Sequence, residues 1–182
     1  MVGGEFLMLK IIGIIVVGVI GVIGAFLFMS GSFSSDPNNI LNTGEYLTIT
    51  VEGEVEKPGT YALDLGATMN DLIEKAGGTT DNADPLAYFD DAMLSEGMTY
   101  YIAPKYDLTD ICATEPIEKV NVNTDSQEKI QEIDGVSSSV ASSIVSYRAG
   151  GNRIDTLEEL LEVYGIGNAT YTKMRNYVTL HA

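Results

Sequence analysis

Apolar and polar positions alternate in three different ways along this chain, and each way predicts a different kind of structure. Residues 11–29, IIGIIVVGVIGVIGAFLFM, run for nineteen positions without a charge. At ~1.5 Å of rise per helical residue the run reaches roughly 28 Å, one hydrocarbon core, and predicts a transmembrane helix. A signal peptide has a shorter apolar region of about 7–15 residues and a small-residue exit, which this stretch lacks, so the expectation is an uncleaved anchor. Gly13, Gly18, Gly21 and Gly24 do not form G-x-x-x-G, and no helix pairing is read from them.

The second pattern has a period of two. Leu47, Ile49, Val51 and, past Gly53, Val55 alternate with polar residues and predict a half-buried strand. Lys57-Pro58-Gly59-Thr60 reads as a turn, and Tyr61 and Leu63 continue as a second strand, so a β-hairpin is expected. Thr68 can cap a helix whose Met69, Leu72, Ile73 and Ala76 follow i, i+3, i+4, i+7, ended by Gly77-Gly78. Met98, Tyr100 and Ile102 alternate as a late strand.

The third pattern is helical and repeats at an offset of thirty. Ile130 and Ile133 map onto Leu160 and Val163, Gly135-Val136-Ser137 onto Gly165-Ile166-Gly167, Ile144 onto Met174 and Tyr147 onto Tyr177. Thr124-Asp125-Ser126-Gln127 and Thr156-Leu157-Glu158-Glu159 read as capping boxes opening each unit. Each unit is therefore expected as helix, tight Gly turn, helix, with Gly150-Gly151-Asn152 between them. Stripes of Val140, Ala141, Ile144 and Tyr147, then Tyr171, Met174 and Val178, predict that the two units share one core and fold without the rest of the chain.

Charge sharpens this division. The 182 residues carry a net charge of −16, which excludes a uniformly basic nucleic-acid binder. Residues 36–116 hold sixteen acids and three bases, whereas residues 117–182 hold nine and six. The C-terminal repeat is thus far closer to neutral than the whole. Lys10 precedes the apolar run and no Lys or Arg follows it until Lys57, so the positive-inside bias places the N-terminus in the cytoplasm and the remainder outside. The expected layout is α+β: a tail and anchor over 1–29, a tether over 30–45, a small mixed domain over 46–104, a connection over 105–119 and an all-α domain over 120–182.

Reactive chemistry is sparse. One Cys and one His are too few for a zinc site or a disulfide framework, and His181 is penultimate, so no catalytic triad is expected. Cys112, in an oxidising space, is either a free thiol or half of an intermolecular bridge. Glu52, Glu54 and Glu56 alternate onto one strand face, with Asp81, Asp84, Asp90 and Asp91 in the following loops. The spacing is not that of an EF-hand, and a solvated acidic face outweighs a divalent-cation site. No cofactor, metal or catalytic residue is expected.

VEGEVEKPGTYAL, DLIEKAGG and LSEGMTYYIAP resemble the SLBB domain, a soluble-ligand-binding β-grasp, over roughly 46–104. VNVNTDSQEKIQEIDGV, SIVSYRAGG and TLEELLEVYGIGNATYTKMRNYV resemble the tandem helix-hairpin-helix domain over roughly 120–179. The order of anchor, SLBB domain and helix-hairpin-helix pair resembles the ComEA family of competence DNA receptors. The resemblance implies capture of double-stranded DNA outside the membrane, ahead of import through channel proteins.

The physics of the Gly turn agrees with that role. Unpaired N–H groups at a helix N-terminus carry positive partial charge and can hold a phosphate without a basic side chain. Carried over by position, the DNA contacts are Gly135, Val136, Ser137 and Ser138 in the first unit and Gly165, Ile166, Gly167 and Asn168 in the second. Lys173 and Arg175 add charge on the helix that the second turn opens. The first turn departs from the family pattern: Ser137 stands for Gly, Asp134 precedes the turn, and Ser138, Ser139, Ser142 and Ser143 occupy positions where Lys is common. The alternative function is an envelope scaffold that binds a protein or polysaccharide through the β-grasp, with a packing-only helix pair. The ligand of the β-grasp is not specified by its residues, which are turns and core. An anchored nuclease is the weakest reading.

Overall fold

The computed structural model describes residues 46–109 and 115–182. The predicted anchor, the tether, and Cys112 lie outside these residues; among the described residues no helix is long and apolar enough to cross a membrane.

The alternating run forms β1, Tyr46–Gly53, with Leu47, Ile49 and Val51 buried on one face. Pro58 and Gly59 turn the chain into β2, Gly59–Asp64, antiparallel to β1 with Ile49 opposite Tyr61. α1, Met69–Lys75, crosses back, and β3, Thr99–Ile102, joins the other edge of β1 in parallel, giving the order β2-β1-β3. Asp71 accepts the Thr68 N–H at 2.7 Å, and this bond holds its carboxyl below the usual range. Met69, Leu72 and Ile73 pack α1 onto the sheet; each such buried side chain contributes about 1.5–3 kcal/mol.

β1 ends at Gly53, earlier than the alternation suggested. Its φ is +86°, and a Cβ there would stand 2.2 Å from the Ile102 carbonyl oxygen, so only glycine lets β3 approach. Val55 is buried, but as an isolated bridge to Thr79. The strand break removes the shared acidic face expected for Glu52, Glu54 and Glu56. Glu54 instead accepts hydrogen bonds from Thr80 and Asn82, and Asp84 is ion-paired. Among the described residues no group of three or more His, Cys, Asp or Glu is placed to hold a metal ion.

The C-terminal repeat begins with β4, Val120–Asn121, and α2, Gln127–Ile130. Ser126, not Thr124, caps α2, accepting from the Lys129 N–H at 3.3 Å. Asp125 is drawn backwards to the Asn121 N–H, which fixes the exit from β4 and moves the cap two residues on. α3, Ser138–Ala149, is the long helix of the first unit. The second unit opens with a 3₁₀ helix, Leu157–Glu162, then α4, Asn168–Met174. Val178 is not on α4 as its spacing suggested. It lies in β5, Val178–Thr179, which pairs in parallel with β4 and buries Val178 and Leu180.

Ile130, Ile133, Ile144, Ile154, Leu157, Leu160 and Met174 form the centre of this second core. Ala87 and Ala103, from the β-grasp, belong to the same cluster, and Phe89 packs against both cores. The seam is polar as well as apolar. Leu180 N–H donates to the Leu86 carbonyl at 2.8 Å, and Lys119 pairs with Asp84 at 2.7 Å, both side chains nearly excluded from water. Burial pulls the Lys119 pKa down against the pull of Asp84. Around the expected connection, Lys105 N–H donates to Asn82 and Ile117 N–H to Lys105, so its ends lie along the β-grasp.

Candidate nucleic-acid interface

The two Gly turns are the same piece of backbone built twice. Val136 N–H closes the first tip onto the Ile133 carbonyl, and Ile166 N–H closes the second onto Val163, each at 3.0 Å. Gly135 has φ +81° and Gly165 φ +90°, conformations that an L side chain strains to adopt. Ile133 and Val136, like Val163 and Ile166, are buried, while the residue before each Gly points outward. Burying the flanking aliphatics thus presents each tip's polar backbone to solvent.

The tips differ in how many amides they leave open. In the first, Ser137 is the N-cap of α3 and its Oγ accepts from the Val140 N–H at 3.3 Å. In the second, Gly167 is the N-cap of α4 and has no side chain to do so. The Asn168, Ala169 and Thr170 amides therefore have no acceptor, one amide more than in the first unit. Nothing lies within 4 Å of where a Gly167 Cβ would be, so the approach is clear. Gly167 has φ −103°, so a side chain there brings no backbone strain; the constrained glycine is Gly165.

Each tip leans on the second helix of the other unit. A Cβ on Gly165 would lie 3.5 Å from Val140 Cγ2, and one on Gly135 would lie 3.0 Å from Lys173 Cδ and 3.9 Å from its Nζ. Lys173, expected to serve the second tip, is therefore carried across to Gly135 of the first. Gly135, Ser137 and Ser138 are exposed at the first tip, and Val136 is buried beneath them. Gly165, Gly167 and Asn168 are exposed at the second tip, with Ile166 buried beneath them.

Arg175 is placed differently. Its guanidinium lies 3.7 Å from the centre of the Tyr101 ring on β3. Tyr101 also donates its N–H to Glu158 at 2.9 Å and its hydroxyl to Asn176 at 2.8 Å. Tyr171 of α4 donates its hydroxyl to the same Glu158 oxygen at 2.6 Å. Arg175 thus belongs to the junction between β3 and α4 rather than to either tip. Burial pushes the Glu158 carboxyl up to about 7, opposed by these hydrogen bonds and by Arg175, and raises the Tyr171 phenol.

Glu158 was hidden in the sequence because it sits within a capping pattern. Glu159 makes the capping contact, accepting from the Asp155 N–H at 2.9 Å, and leaves its neighbour free to turn inward. Tyr164, 90% exposed beside Gly165, was also missed. The signal was available: the thirty-residue repeat sets it opposite Asp134.

Known proteins share this arrangement. Residues 115–179 match the helix-hairpin-helix motif family, and residues 48–95 match the SLBB domain family. ComE operon protein 1 of Bacillus subtilis (strain 168) is 31% identical over 147 residues, covering 76% of this chain and 72% of its own. The chain belongs to the ComEA family. An uncharacterized protein of Haemophilus influenzae is 39% identical over 62 residues, 34% of this chain and 55% of its own length. Membership accounts for the pairing of an SLBB β-grasp with tandem helical hairpins.

Proposed function

We propose that this chain is a membrane-anchored receptor, not an enzyme, that captures double-stranded DNA outside the cytoplasmic membrane for uptake. The observation that carries the reading is the second tip, where three acceptor-free amides surround an unobstructed Gly167. Such a site takes a phosphate oxygen by backbone dipole and hydrogen bond, independent of base sequence. The contacts are Gly165, Ile166, Gly167 and Asn168, supported by Gly135, Val136, Ser137, Ser138 and Lys173 at the first tip. Arg175 positions α4 from its seat on Tyr101. Family membership supports a role in competence, and the apolar 11–29 run with its Lys10 flank supports anchoring with the C-terminal domains outside.

The test is duplex binding by the full chain across a salt series. Affinity is expected to fall steeply with salt and to differ little between unrelated duplexes. No binding at ~50 mM salt, where phosphate contacts are strongest, would replace this reading with an envelope scaffold. Protease added to wall-stripped cells checks the topology: the C-terminal domains are expected to be digested, and full protection refutes their exposure.

A further inference from the structure

Tyr164 is the most exposed large apolar side chain among the described residues, at 90% of its full accessibility. Its hydroxyl has no hydrogen-bond partner there. An aromatic ring held in water contributes nothing to the core, and it stands beside the tip that leaves three amides without an acceptor. The first tip supplies an internal comparison. Its backbone closes through the same bond at the same 3.0 Å, with a positive φ at its glycine, +81° against +90°. The residue before that glycine is exposed in both tips, yet it is Asp134 in one and Tyr164 in the other. Whatever both tips face, one offers it a carboxylate and the other a phenol.

The position of the ring defines what it can touch. Tyr164 directly precedes Gly165, on the solvent side of the turn whose Val163 and Ile166 point inward. The neighbouring wall is Ser142, Ser143 and Ser146 of α3, with Tyr147 holding Glu162 by a 3.1 Å hydrogen bond. This wall is polar and small, so the ring has space on its outer side. A duplex that set a phosphate on the open amides beside Gly167 would bring the sugar edges of a groove within reach of a ring three residues earlier in the same turn. Those edges are apolar, and the groove floor carries acceptors common to A·T and T·A pairs, to which a phenol can donate.

We propose that Tyr164 is a DNA-contacting side chain that packs its ring into the minor groove, so that the two tips engage the duplex unequally. The proposal rests on the DNA reading above. It adds a non-ionic contact to a surface that has few cations, and explains how an acidic chain retains hold of a polyanion. Asp134, at the matching place, holds the first tip away from the groove, and Lys173 offsets part of that repulsion.

The experiment uses the full chain. Because the ring is exposed, its replacements leave the fold unchanged. Tyr164→Ala is expected to weaken duplex binding about tenfold without altering the salt slope, the signature of lost apolar contact. Lys173→Ala is the contrasting control, expected to lower the slope by about one if it touches phosphate. The chain has no Trp, so Tyr164→Trp supplies a single reporter, whose emission should shift as a 30-base-pair duplex saturates the protein. Tyr164→Asp should cost more than Tyr164→Ala, and Asp134→Tyr should tighten binding. Equal affinity of wild type and Tyr164→Ala, or Trp emission unchanged in saturating duplex, overturns the proposal while leaving the receptor reading standing. Absence of binding by the wild type refutes that reading itself.

Discussion

Replacing Glu158 with glutamine should make this protein more stable at pH 8 and change how its stability depends on pH. Glu158 is 4% exposed; one carboxylate oxygen accepts from Tyr101 and Tyr171, and the other has no partner. Its pKa is pushed from 4.5 up to about 7 by burial. In the unfolded chain the carboxyl ionises first, so folding must retain the proton or bury the charge. Its contribution is therefore fully present below pH 4.5 and is lost as pH rises through 7. A shift of this size corresponds to about 3 kcal/mol at 1.36 kcal/mol per pH unit. Glutamine keeps the accepting oxygen, carries no charge, and leaves one amide N–H₂ group where the unpaired oxygen was, at a cost of about 1 kcal/mol. The stability of Glu158→Gln relative to wild type should thus climb by about 3 kcal/mol between pH 4.5 and 8, ending about 2 kcal/mol above it. Urea unfolding followed by circular dichroism at stepped pH measures both proteins, and the difference between them cancels the other carboxylates. Parallel stability curves would refute the argument, because they would mean the carboxyl is as well solvated folded as unfolded.

Three further outcomes follow from the site and the seam. Arg175→Ala should leave the salt slope of DNA binding unchanged and lower the melting temperature, since it uncovers Tyr101; a lowered slope would put Arg175 on phosphate. Gly165→Ala should cost about 1–2 kcal/mol for its left-handed backbone, measured by urea unfolding, whereas Gly167→Val should fold normally and lose duplex affinity in a binding titration. Residues 117–182 alone should melt at a lower temperature than the longer chain, because Ala87, Ala103 and the Tyr101–Glu158 bond are removed from their core; equal melting temperatures would show the seam to be energetically idle.

Both cores were legible because their periodicities are local. The alternation of Leu47, Ile49 and Val51 and the repeat linking Ile133 to Val163 each specify a buried face within a few residues. The tips were legible for the same reason, since a Gly turn declares its own backbone. What escaped was set by long-range packing. Nothing near Val178 announces a strand; its partner is Val120, 58 positions earlier. Arg175 reads as a surface cation until Tyr101 is brought beneath it, and Lys173 reads as a neighbour of its own turn until α4 leans on Gly135. The first capping box shifts by two residues because Asp125 turns back to the Asn121 N–H, whereas in the second Thr156 is the N-cap and Glu159 takes the Asp155 N–H.

The parallel pairing of β1 with β3 has a mechanical consequence. The described chain enters at Tyr46, at the start of β1, and leaves the sheet from Ile102, at the end of β3. Traction between the N-terminal side and the helical repeat pulls one strand by its beginning and its neighbour by its end. In a parallel pair this slides the strands past each other, so the rungs are loaded together and cannot open one at a time as in a zipper. The antiparallel β2 grips the other edge of β1, and the strand being pulled is the middle one of three. On the proposed reading, with DNA on the helical repeat and the N-terminal side fastened, this sheet resists tension along the direction in which it would be tugged.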